Sequence, residues 1–210
     1  QLVAGALSLG LALSAATQTK LLAYLDLLQK WNRTYQLTSI RDPAMAVSSH
    51  LLDSLALLPF VATDSLLDVG SGGGLPGIPL AIARPDLRVL LVDSNAKKCA
   101  FMRQVGIELA LTNIAVHCGR VESLRADDGF PLIVARAFAD LTTLIRLTRH
   151  LLRDGGHWLA MKGRRPDDEL ADLPADVTLY AEHRLQIPGV AGERHLLLLA
   201  DDALRGEGLV

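Results

Sequence analysis

Apolar residues recur at helical spacing along the first third of the chain. Residues 15–33 predict an amphipathic helix that Ser14 can cap, because the apolar positions return every three or four residues. These positions are Leu21, Leu22, Leu25, Leu28 and Trp31. A second helix is expected to begin at Pro43, which suits a first helical turn, and to end near Pro59. The pattern therefore predicts a helical extension over residues 1–60.

Residues 2–16 are apolar and end in small residues, as the hydrophobic part of a signal peptide does. No positively charged residue precedes them, and the stretch is too short to span a bilayer. We therefore expect two short packed helices interrupted near Gly10, and no membrane contact.

Beyond residue 60, helical spacing gives way to short apolar runs separated by helical segments. Five runs are predicted strands: residues 65–69, 88–93, 114–118, 131–136 and 156–162. Helices are expected between them, one ending near Arg84 and others over 95–110 and 140–152. Alternation of strands and helices predicts a mostly parallel sheet covered on both faces. The last two runs, 177–185 and 194–200, have a connection too short for a helical crossover and can pair antiparallel.

The pattern as a whole predicts an α/β protein with one integrated core. Residues 1–60 would form the helical extension and residues 61–210 the domain that contains the sheet. The chain has 210 residues and 50% of them are apolar, which is enough to bury a core without covalent cross-links. Mixed charges with a net charge of −2 exclude an intrinsically disordered chain.

Composition also restricts the kind of binding site. An aromatic content of 4% disfavours a stacking platform for single strands, and the near-zero net charge argues against a wholly basic nucleic-acid surface. These numbers do not exclude a local basic patch that binds nucleic acid. Two cysteines, Cys99 and Cys118, are too few for a disulfide scaffold or a zinc finger, so a cytoplasmic location is the default. The histidines lack metal-ligand spacing, and no metal ion is expected.

The most informative motif is a glycine-rich turn that leaves the first predicted strand and opens a helix. Residues 68–74 read Asp-Val-Gly-Ser-Gly-Gly-Gly. Glycines permit positive φ and let a ligand approach the backbone, and such a turn lies at the carboxyl edge of the sheet. Asp93 ends the next strand, where a carboxylate can accept hydrogen bonds from ribose hydroxyls. Together they predict a nucleotide-containing cofactor.

Two cofactors fit this turn. Gly72, Gly74 and Gly77 match a dinucleotide fingerprint, although that match alone is weak. The alternative register, Asp68-x-Gly70-x-Gly72-x-Gly74, resembles the first motif of class I S-adenosylmethionine-dependent methyltransferases. There Asp68 would lie beside the ammonium of the methionine moiety, directly or through water, whereas it would repel a pyrophosphate. The chain beyond the turn is also short for the substrate domain of a dehydrogenase.

The resemblance extends over nearly the whole chain. Residues 67–80, LDVGSGGGLPGIPL, look like the cofactor loop of the bacterial small-subunit rRNA methyltransferase G family, also called glucose-inhibited division protein B. Other matching segments are Trp31-Asn32, Tyr35, Leu37-Thr38, Arg41-Asp42-Pro43, His50, Leu52-Asp53-Ser54, Asp93-Ser94, Lys97-Lys98, Arg136-Ala137-Phe138-Ala139, Lys162-Gly163 and Gly192-Glu193-Arg194-His195. The LPGIP sequence is the most specific part, since generic methyltransferases lack it. Gln36 departs from the pattern, because the family usually has asparagine there.

The resemblance implies a class I, Rossmann-like methyltransferase that uses S-adenosylmethionine to methylate N7 of a guanine, position 527 of 16S rRNA. By resemblance to the family, the cofactor-binding residues would include Gly70, Leu75, Val121, Glu122 and Arg136. The glycine-rich turn and the following strand end add Asp68, Gly72, Gly74 and Asp93. The partner would be 16S rRNA or the small ribosomal subunit, and the protein is expected to be a monomer.

Several side chains are candidates for positioning the target rather than the cofactor. Arg136 ends the fourth predicted strand and could bind the methionine carboxylate or a phosphate of the RNA. Lys162, Arg164 and Arg165 follow the next strand and could hold RNA backbone, although a solvated loop explains them equally well. Asn32, Arg41 and His50 could shape the RNA face from the helical extension, and for His50 a core or capping role is an equal alternative.

Guanine N7 carries a lone pair and no proton at neutral pH, so methyl transfer to it needs no general base. The absence of a convincing catalytic dyad in the sequence agrees with this chemistry. Two other functions stay open at this point: a nicotinamide-dependent oxidoreductase that uses Gly72, Gly74, Gly77 and Asp93, and a non-catalytic rRNA-binding assembly factor.

Overall fold

The computed structural model describes residues 1–204, which form one seven-stranded sheet with helices on both faces. Its strands are β1 (Ser65–Val69), β2 (Arg88–Asp93), β3 (Ile114–Cys118), β4 (Phe130–Arg136), β5 (Leu152–Lys162), β6 (Val177–Arg184) and β7 (His195–Asp201). They are ordered β3-β2-β1-β4-β5-β7-β6. Strands β1 to β5 are parallel, and β7 pairs antiparallel with both β5 and β6. The predicted mostly parallel sheet and its antiparallel final pair are confirmed.

Eight α-helices connect or flank these strands in the described part of the chain. They are α1 (Leu2–Ser8), α2 (Ala15–Tyr35), α3 (Pro43–Ala46), α4 (Asp53–Leu55), α5 (Gly77–Ala83), α6 (Ala96–Glu108), α7 (Leu141–Thr148) and α8 (Asp167–Ala171). The Ser14 side chain accepts the Thr17 amide proton and caps α2. Of the two short helices expected over residues 2–16, only α1 forms, and it ends before Gly10, at φ +75°. The second is absent, because residues 11–14 are not helical and lead directly into α2. Within residues 1–204, no helix is long and apolar enough to cross a membrane.

Two predicted elements have different boundaries. The helix expected from Pro43 to Pro59 is α3 and α4 joined by a π-helical turn, Val47–Leu52, with a final 3-10 turn at Leu58–Phe60. The helix expected over 140–152 ends at Thr148, because β5 begins at Leu152, four residues before the predicted start. Gly155, at φ +69°, explains the missed start of β5, since glycine in a strand weakens the alternating pattern.

The helical extension packs on one face of the sheet. Leu21, Leu25 and Leu28 of α2 belong to the same buried cluster as Leu66 and Leu91 of the sheet. A second buried cluster covers the opposite face, with residues of α7 against β1, β4, β5 and β7. The extension therefore shares a core with the sheet and lies beside the glycine-rich turn.

The carboxyl ends of the parallel strands lie together because of the strand register. Val69 pairs with Val92 and with Ala135, and Asp93 pairs with Cys118. Side chains from four separate stretches of sequence thus meet at one edge of the sheet.

Candidate functional site

The glycine-rich turn depends on backbone conformations that favour glycine. Gly70 and Gly72 have φ values of +70° and +58°. A Cβ on Gly70 would lie 2.5 Å from Cδ2 of Phe138, so the turn packs closely against the chain that follows β4. A Cβ on Gly72 would make only one ordinary contact, at 3.8 Å to the Gly70 carbonyl oxygen, so no neighbouring group excludes a side chain there. At Gly72 the requirement for glycine therefore comes from the backbone angle and from whatever ligand approaches it.

Asp93 holds the turn from the neighbouring strand. Its Oδ2 accepts the Gly72 amide proton at 2.9 Å, and its Oδ1 accepts that of Asn95 at 2.8 Å. The Lys98 ammonium lies 3.7 Å from Oδ2. Each carboxylate oxygen has further lone pairs, so this side chain can bridge the turn and a ribose diol.

Asp68 is fully buried beneath the turn. Its Oδ2 accepts the amide proton of Gly77 at the start of α5 at 2.8 Å, while its Oδ1 has no hydrogen-bond partner among the described residues. Burial raises the pKa of this carboxyl to about 7, against the lowering effects of the Gly77 hydrogen bond and the Arg136 charge. A buried carboxylate with a spare oxygen suits a cationic group of a ligand.

A cavity of about 320 Å³ opens at this edge of the sheet. It is lined by Val69, Gly70, Val92, Asp93, Ser94, Lys98, Gly119, Arg120, Val121, Glu122, Ala137, Phe138 and Leu147. The structure brings together four predicted cofactor residues here: Gly70, Asp93, Val121 and Glu122. Leu75 is buried in the turn and Arg136 points elsewhere, so neither lines this cavity. Gly72 and Gly74 shape the turn without lining it.

Most of the other residues that line this cavity were not predicted as cofactor residues, and two of them have side chains of particular interest. Lys98 and Phe138 both line it. Each belongs to a segment that resembles the family, but nothing in their local pattern indicates a role. The residues present fit S-adenosylmethionine, because Asp93 offers ribose acceptors and Asp68 offers an unpaired buried oxygen near the turn.

A second cavity, of about 530 Å³, lies between the helical extension and the ends of β4 and β5. Its lining is Thr38, Ser39, Ile40, Ser49, His50, Asp53, Arg136, Ala137, Met161, Lys162, Gly163 and Arg194. Three of the predicted target-positioning residues, His50, Arg136 and Lys162, meet here. Ala137 lines both cavities and has φ +52°, a conformation that non-glycine residues adopt rarely.

Arg136 turns toward the helical extension. Its Nη1 donates to Oδ2 of Asp53 at 2.8 Å and to the Ser49 carbonyl at 3.1 Å. The other Asp53 oxygen, Oδ1, accepts from Nε of Arg194 at 3.0 Å. One buried carboxylate therefore joins two arginines that come from distant parts of the chain.

His50 is buried and neutral. Burial and the nearby Arg136 charge lower its pKa to about 4. Its Nδ1 lies 3.2 Å from the Ser49 carbonyl and its Nε2 lies 3.0 Å from the Thr38 hydroxyl. A carbonyl only accepts, so Nδ1 carries the proton and Nε2 accepts the proton of Thr38. The lone pair of His50 is therefore occupied.

Asn32 supports this arrangement from α2. Its Oδ1 accepts the Thr38 amide proton at 2.8 Å, so it orders the loop that presents Thr38 to His50. Asn32 and Arg41 line a separate surface cavity, not the second cavity. Gln36 ends α2 in the left-handed conformation, at φ +52°, which asparagine or glycine adopts more readily. That preference gives a backbone reason for the asparagine usual in the family.

The basic residues after β5 differ in their surroundings. The Lys162 ammonium donates to Oε2 of Glu169 at 2.7 Å and to the Ala139 carbonyl at 2.9 Å. Arg165 forms ion pairs with Asp167 and Glu182, so its charge is balanced locally. Arg164 is exposed and forms no ion pair within residues 1–204. In that same part of the chain, no group of three His, Cys, Asp or Glu side chains could hold a metal ion.

Comparison with known proteins places these features in a family. A family model described as rRNA small subunit methyltransferase G matches residues 17–197. The chain is 52% identical over 199 residues to the ribosomal RNA small subunit methyltransferase G of Laribacter hongkongensis, covering 95% of this chain and 96% of that protein. It is 53% identical over 200 residues to the protein of the same name from Pseudomonas aeruginosa, covering 95% and 94% of the two chains.

Solved structures share the fold at much lower identity. TrmN from Thermus thermophilus superposes with a TM-score of 0.56 at 20% identity, over 70% of this chain and 48% of that one. A ribosomal protein L11 methylase from Lactobacillus delbrueckii superposes with a TM-score of 0.53 at 18% identity, over 70% and 76% of the two chains. The sheet is thus the Rossmann-like sheet of methyltransferases, as predicted. With the glycine-rich turn, the Asp93 carboxylate and a family match over residues 17–197, the chain belongs to the rRNA small subunit methyltransferase G family.

Proposed function

We propose that this protein transfers a methyl group from S-adenosylmethionine to N7 of a guanine in small-subunit rRNA, at position 527 of 16S rRNA. Membership of the family supports methylation of rRNA. The observation that carries the proposal is the pair of cavities that meet at Ala137, one lined by cofactor-type residues and one by basic residues. A donor and an acceptor held on either side of one residue can be aligned for direct transfer.

In the first cavity, Asp93 would accept the ribose hydroxyls while the Gly70–Gly74 backbone follows the ligand. Val121 and Glu122, after β3, would flank the adenine. The spare oxygen of Asp68 would face the methionine ammonium, directly or through water. When bound, S-adenosylmethionine supplies a methyl group activated by its sulfonium. The chain's own task is to hold both reactants in line.

Proton transfer is not required of this chain. Guanine N7 attacks through its lone pair and has no proton to lose, so alignment and electrostatics supply the catalysis. His50, the one imidazole that lines the second cavity in the described part of the chain, has its Nε2 lone pair engaged by Thr38. It is therefore suited to shaping the cavity and not to general base catalysis.

We further propose that the protein acts as a cytoplasmic monomer whose substrate is 16S rRNA or the small ribosomal subunit. The reducing location follows from the cysteine content, since Cys99 and Cys118 are both free thiols. Neither a metal ion nor a nicotinamide cofactor has a role in this scheme.

Methyl transfer to small ribosomal subunits tests the function. Subunits from a strain that lacks the enzyme should accept radiolabelled methyl groups from S-adenosylmethionine, and nuclease digestion should locate 7-methylguanosine at position 527. Subunits from a strain that contains the enzyme are the control and should accept none. Label at another base would overturn the proposed target, and tight binding of NAD without methyl transfer would favour the oxidoreductase alternative. Tight rRNA binding without transfer would favour a non-catalytic factor.

A further inference from the structure

The second cavity has the size and the charge of a nucleotide site. Its volume of about 530 Å³ lies within the range of small-molecule pockets. Three cationic side chains line it, those of Arg136, Lys162 and Arg194, together with one carboxylate, that of Asp53. Asp53 is shared between Arg136 and Arg194, Lys162 is paired with Glu169, and His50 is neutral. Three cations against two carboxylates leave an excess of one positive charge at the cavity. Such a cavity favours a ligand that carries a phosphate.

Asp53 is placed to orient the arginines and not to contact a ligand. Its side chain is 4% exposed, and its two oxygens bind different arginines, Arg136 through Oδ2 and Arg194 through Oδ1. A buried carboxylate paired in this way fixes both guanidinium groups, because moving either one would leave a buried charge without its partner. Arg194 remains 26% exposed and can contact a ligand.

The ion pairs of Asp53 also hold together the parts of the fold that form the walls of the second cavity. Asp53 belongs to α4 in the helical extension, Arg136 ends β4, and Arg194 immediately precedes β7. The Ser49 carbonyl, in the π-helical turn, adds a further hydrogen bond to Arg136. Three separate parts of the fold are thereby held around the opening beside Ala137.

We infer that the second cavity receives the target nucleotide, extruded from its rRNA loop, that Arg194 contacts its phosphate, and that Asp53 is the positioning residue for Arg136 and Arg194. This inference rests on the proposed function. Chemistry on a base requires that the base leave its stack, and a pocket beside the methyl donor meets that need. The phosphate on the extruded nucleotide explains the surplus of positive charge.

Steady-state methylation of small subunits by Arg194→Gln tests the inference. We expect the KM for subunits to rise about tenfold or more, because the variant loses one charge-assisted hydrogen bond to the phosphate. The dissociation constant of S-adenosylmethionine should stay within about twofold of the wild-type value. Arg194→Lys should recover part of the loss, because it keeps the charge but not the planar fork. The matched control is Arg184→Gln, since Arg184 lies on β6, pairs with Glu193 at the surface and does not line the cavity.

Asp53→Asn extends the test to the positioning role. It should raise the KM for subunits with little change in cofactor affinity, and its effect should be less than multiplicative with that of Arg194→Gln. An unchanged KM for subunits in Arg194→Gln would overturn the inference, and so would a loss of S-adenosylmethionine affinity as large as the rise in KM. In either case, methyl transfer by the wild-type protein would still support the proposed function. If the wild-type protein transfers no methyl group to subunits, the proposed function itself fails.

Discussion

At the scale of single residues, the carboxylate of Asp93 holds the glycine-rich turn and, in the proposed function, would also accept the ribose hydroxyls of the cofactor. It accepts amide protons from Gly72 and Asn95, so it fixes the glycine-rich turn before any ligand arrives. The sequence predicts its position at a strand end, but its bond to the turn becomes visible only in the fold.

Asp93→Ala should weaken S-adenosylmethionine binding about tenfold or more. The variant loses the acceptor for the ribose hydroxyls, with charge-assisted bonds contributing roughly 1.5–3 kcal/mol each, and it loosens the turn. Isothermal titration calorimetry measures the change. Asp64→Ala is the control, because Asp64 pairs with Arg88 at the opposite edge of the sheet. Unchanged affinity in an Asp93→Ala protein with a native circular dichroism spectrum would refute the ribose assignment.

Gly72→Val should abolish cofactor binding. A β-branched residue is strained at φ +58°, and its side chain would occupy the open space above the turn. The control is Gly155→Val: Gly155 has a similar φ of +69° and no atom within 4 Å of a Cβ, but it lies near the start of β5, away from the carboxyl edge of the sheet. We expect both variants to lose stability and only Gly72→Val to lose affinity. Wild-type affinity in Gly72→Val would place the ligand elsewhere.

The raised pKa of Asp68 predicts how the stability of the protein changes with pH. The pKa is about 7 in the fold against an ordinary value near 4, so the native state retains a proton that the unfolded state has released. Asp68 therefore costs stability increasingly as pH rises from about 4 to 7. Asp68→Asn removes this cost and can keep the hydrogen bond to Gly77. Its free energy of unfolding should exceed that of the wild type by roughly 1–4 kcal/mol at pH 8, with little difference at pH 4.

Denaturant unfolding at several pH values measures this difference. His50 changes stability in the opposite direction, because its lowered pKa means that the unfolded state takes up a proton first as pH falls below about 6.5. The His50 contribution is common to both proteins and cancels in the comparison. A stability difference that is the same at pH 4 and pH 8 would show that the fold does not raise the pKa of Asp68.

At the scale of secondary structure, helix α2 supports the cofactor turn directly. The buried Tyr24 hydroxyl donates to the Gly73 carbonyl at 2.7 Å, and a Cβ on Gly73 would lie 3.0 Å from Cδ1 of Leu28. Burial raises the pKa of the Tyr24 phenol, so the hydroxyl keeps its proton and remains a donor. The helical extension therefore supports the glycine-rich turn and also lines the second cavity.

Tyr24→Phe should reduce the free energy of unfolding by about 1–3 kcal/mol, because it leaves the buried Gly73 carbonyl without a donor. It should also weaken cofactor binding, since the turn loses an anchor. Thermal unfolding and calorimetry measure the two effects. Tyr35→Phe is the control at an exposed position of the same helix and should change neither. If the two variants behave alike, α2 does not support the turn.

At the scale of the whole molecule, RNA binding must arise from a local concentration of positive charge, since the net charge is −2. The carboxyl edge of the sheet carries four cationic side chains, those of Arg136, Lys162, Arg164 and Arg194, around the second cavity and the loop after β5. Two carboxylates, Asp53 and Glu169, pair with them, so positive charge remains in excess. Arg165, in the same loop, is balanced by Asp167 and Glu182. The structure thus distinguishes Arg164, which is exposed, from Arg165, which is paired with carboxylates, although the sequence gives no reason to treat them differently.

The logarithm of RNA affinity should fall with the logarithm of salt concentration, by about 0.7–0.9 for each phosphate contact. Arg164→Ala together with Arg165→Ala should flatten that slope and leave S-adenosylmethionine affinity nearly unchanged, and Arg164→Ala alone should account for most of the effect. Fluorescence anisotropy with a labelled rRNA fragment gives the slope. Arg88→Ala, at the opposite edge of the sheet, is the control. An unchanged slope in the double variant would mean that this loop is merely solvated.

The sequence by itself determined the order of helices and strands, the parallel sheet, and the turn from Asp68 to Gly74 with its acid at Asp93. These features depend on neighbouring residues: hydrophobic periodicity selects helix or strand, and glycine permits the positive φ of the turn. Because parallel strands align their carboxyl ends, a strand-end residue could be assigned to the functional edge without coordinates.

Only the tertiary structure decided how side chains that are distant in sequence pair. Asp53 meets Arg136 across 83 residues and Arg194 across 141, and Tyr24 meets Gly73 across 49. No local pattern encodes such contacts, since they depend on how the helical extension packs against the sheet. The same packing turned Arg136 toward the second cavity and gave Asn32 a supporting role in the loop behind it. Residue type and spacing thus located the edge of the sheet where the site lies, and the packing of α2, α4 and β7 determined which groups face each cavity.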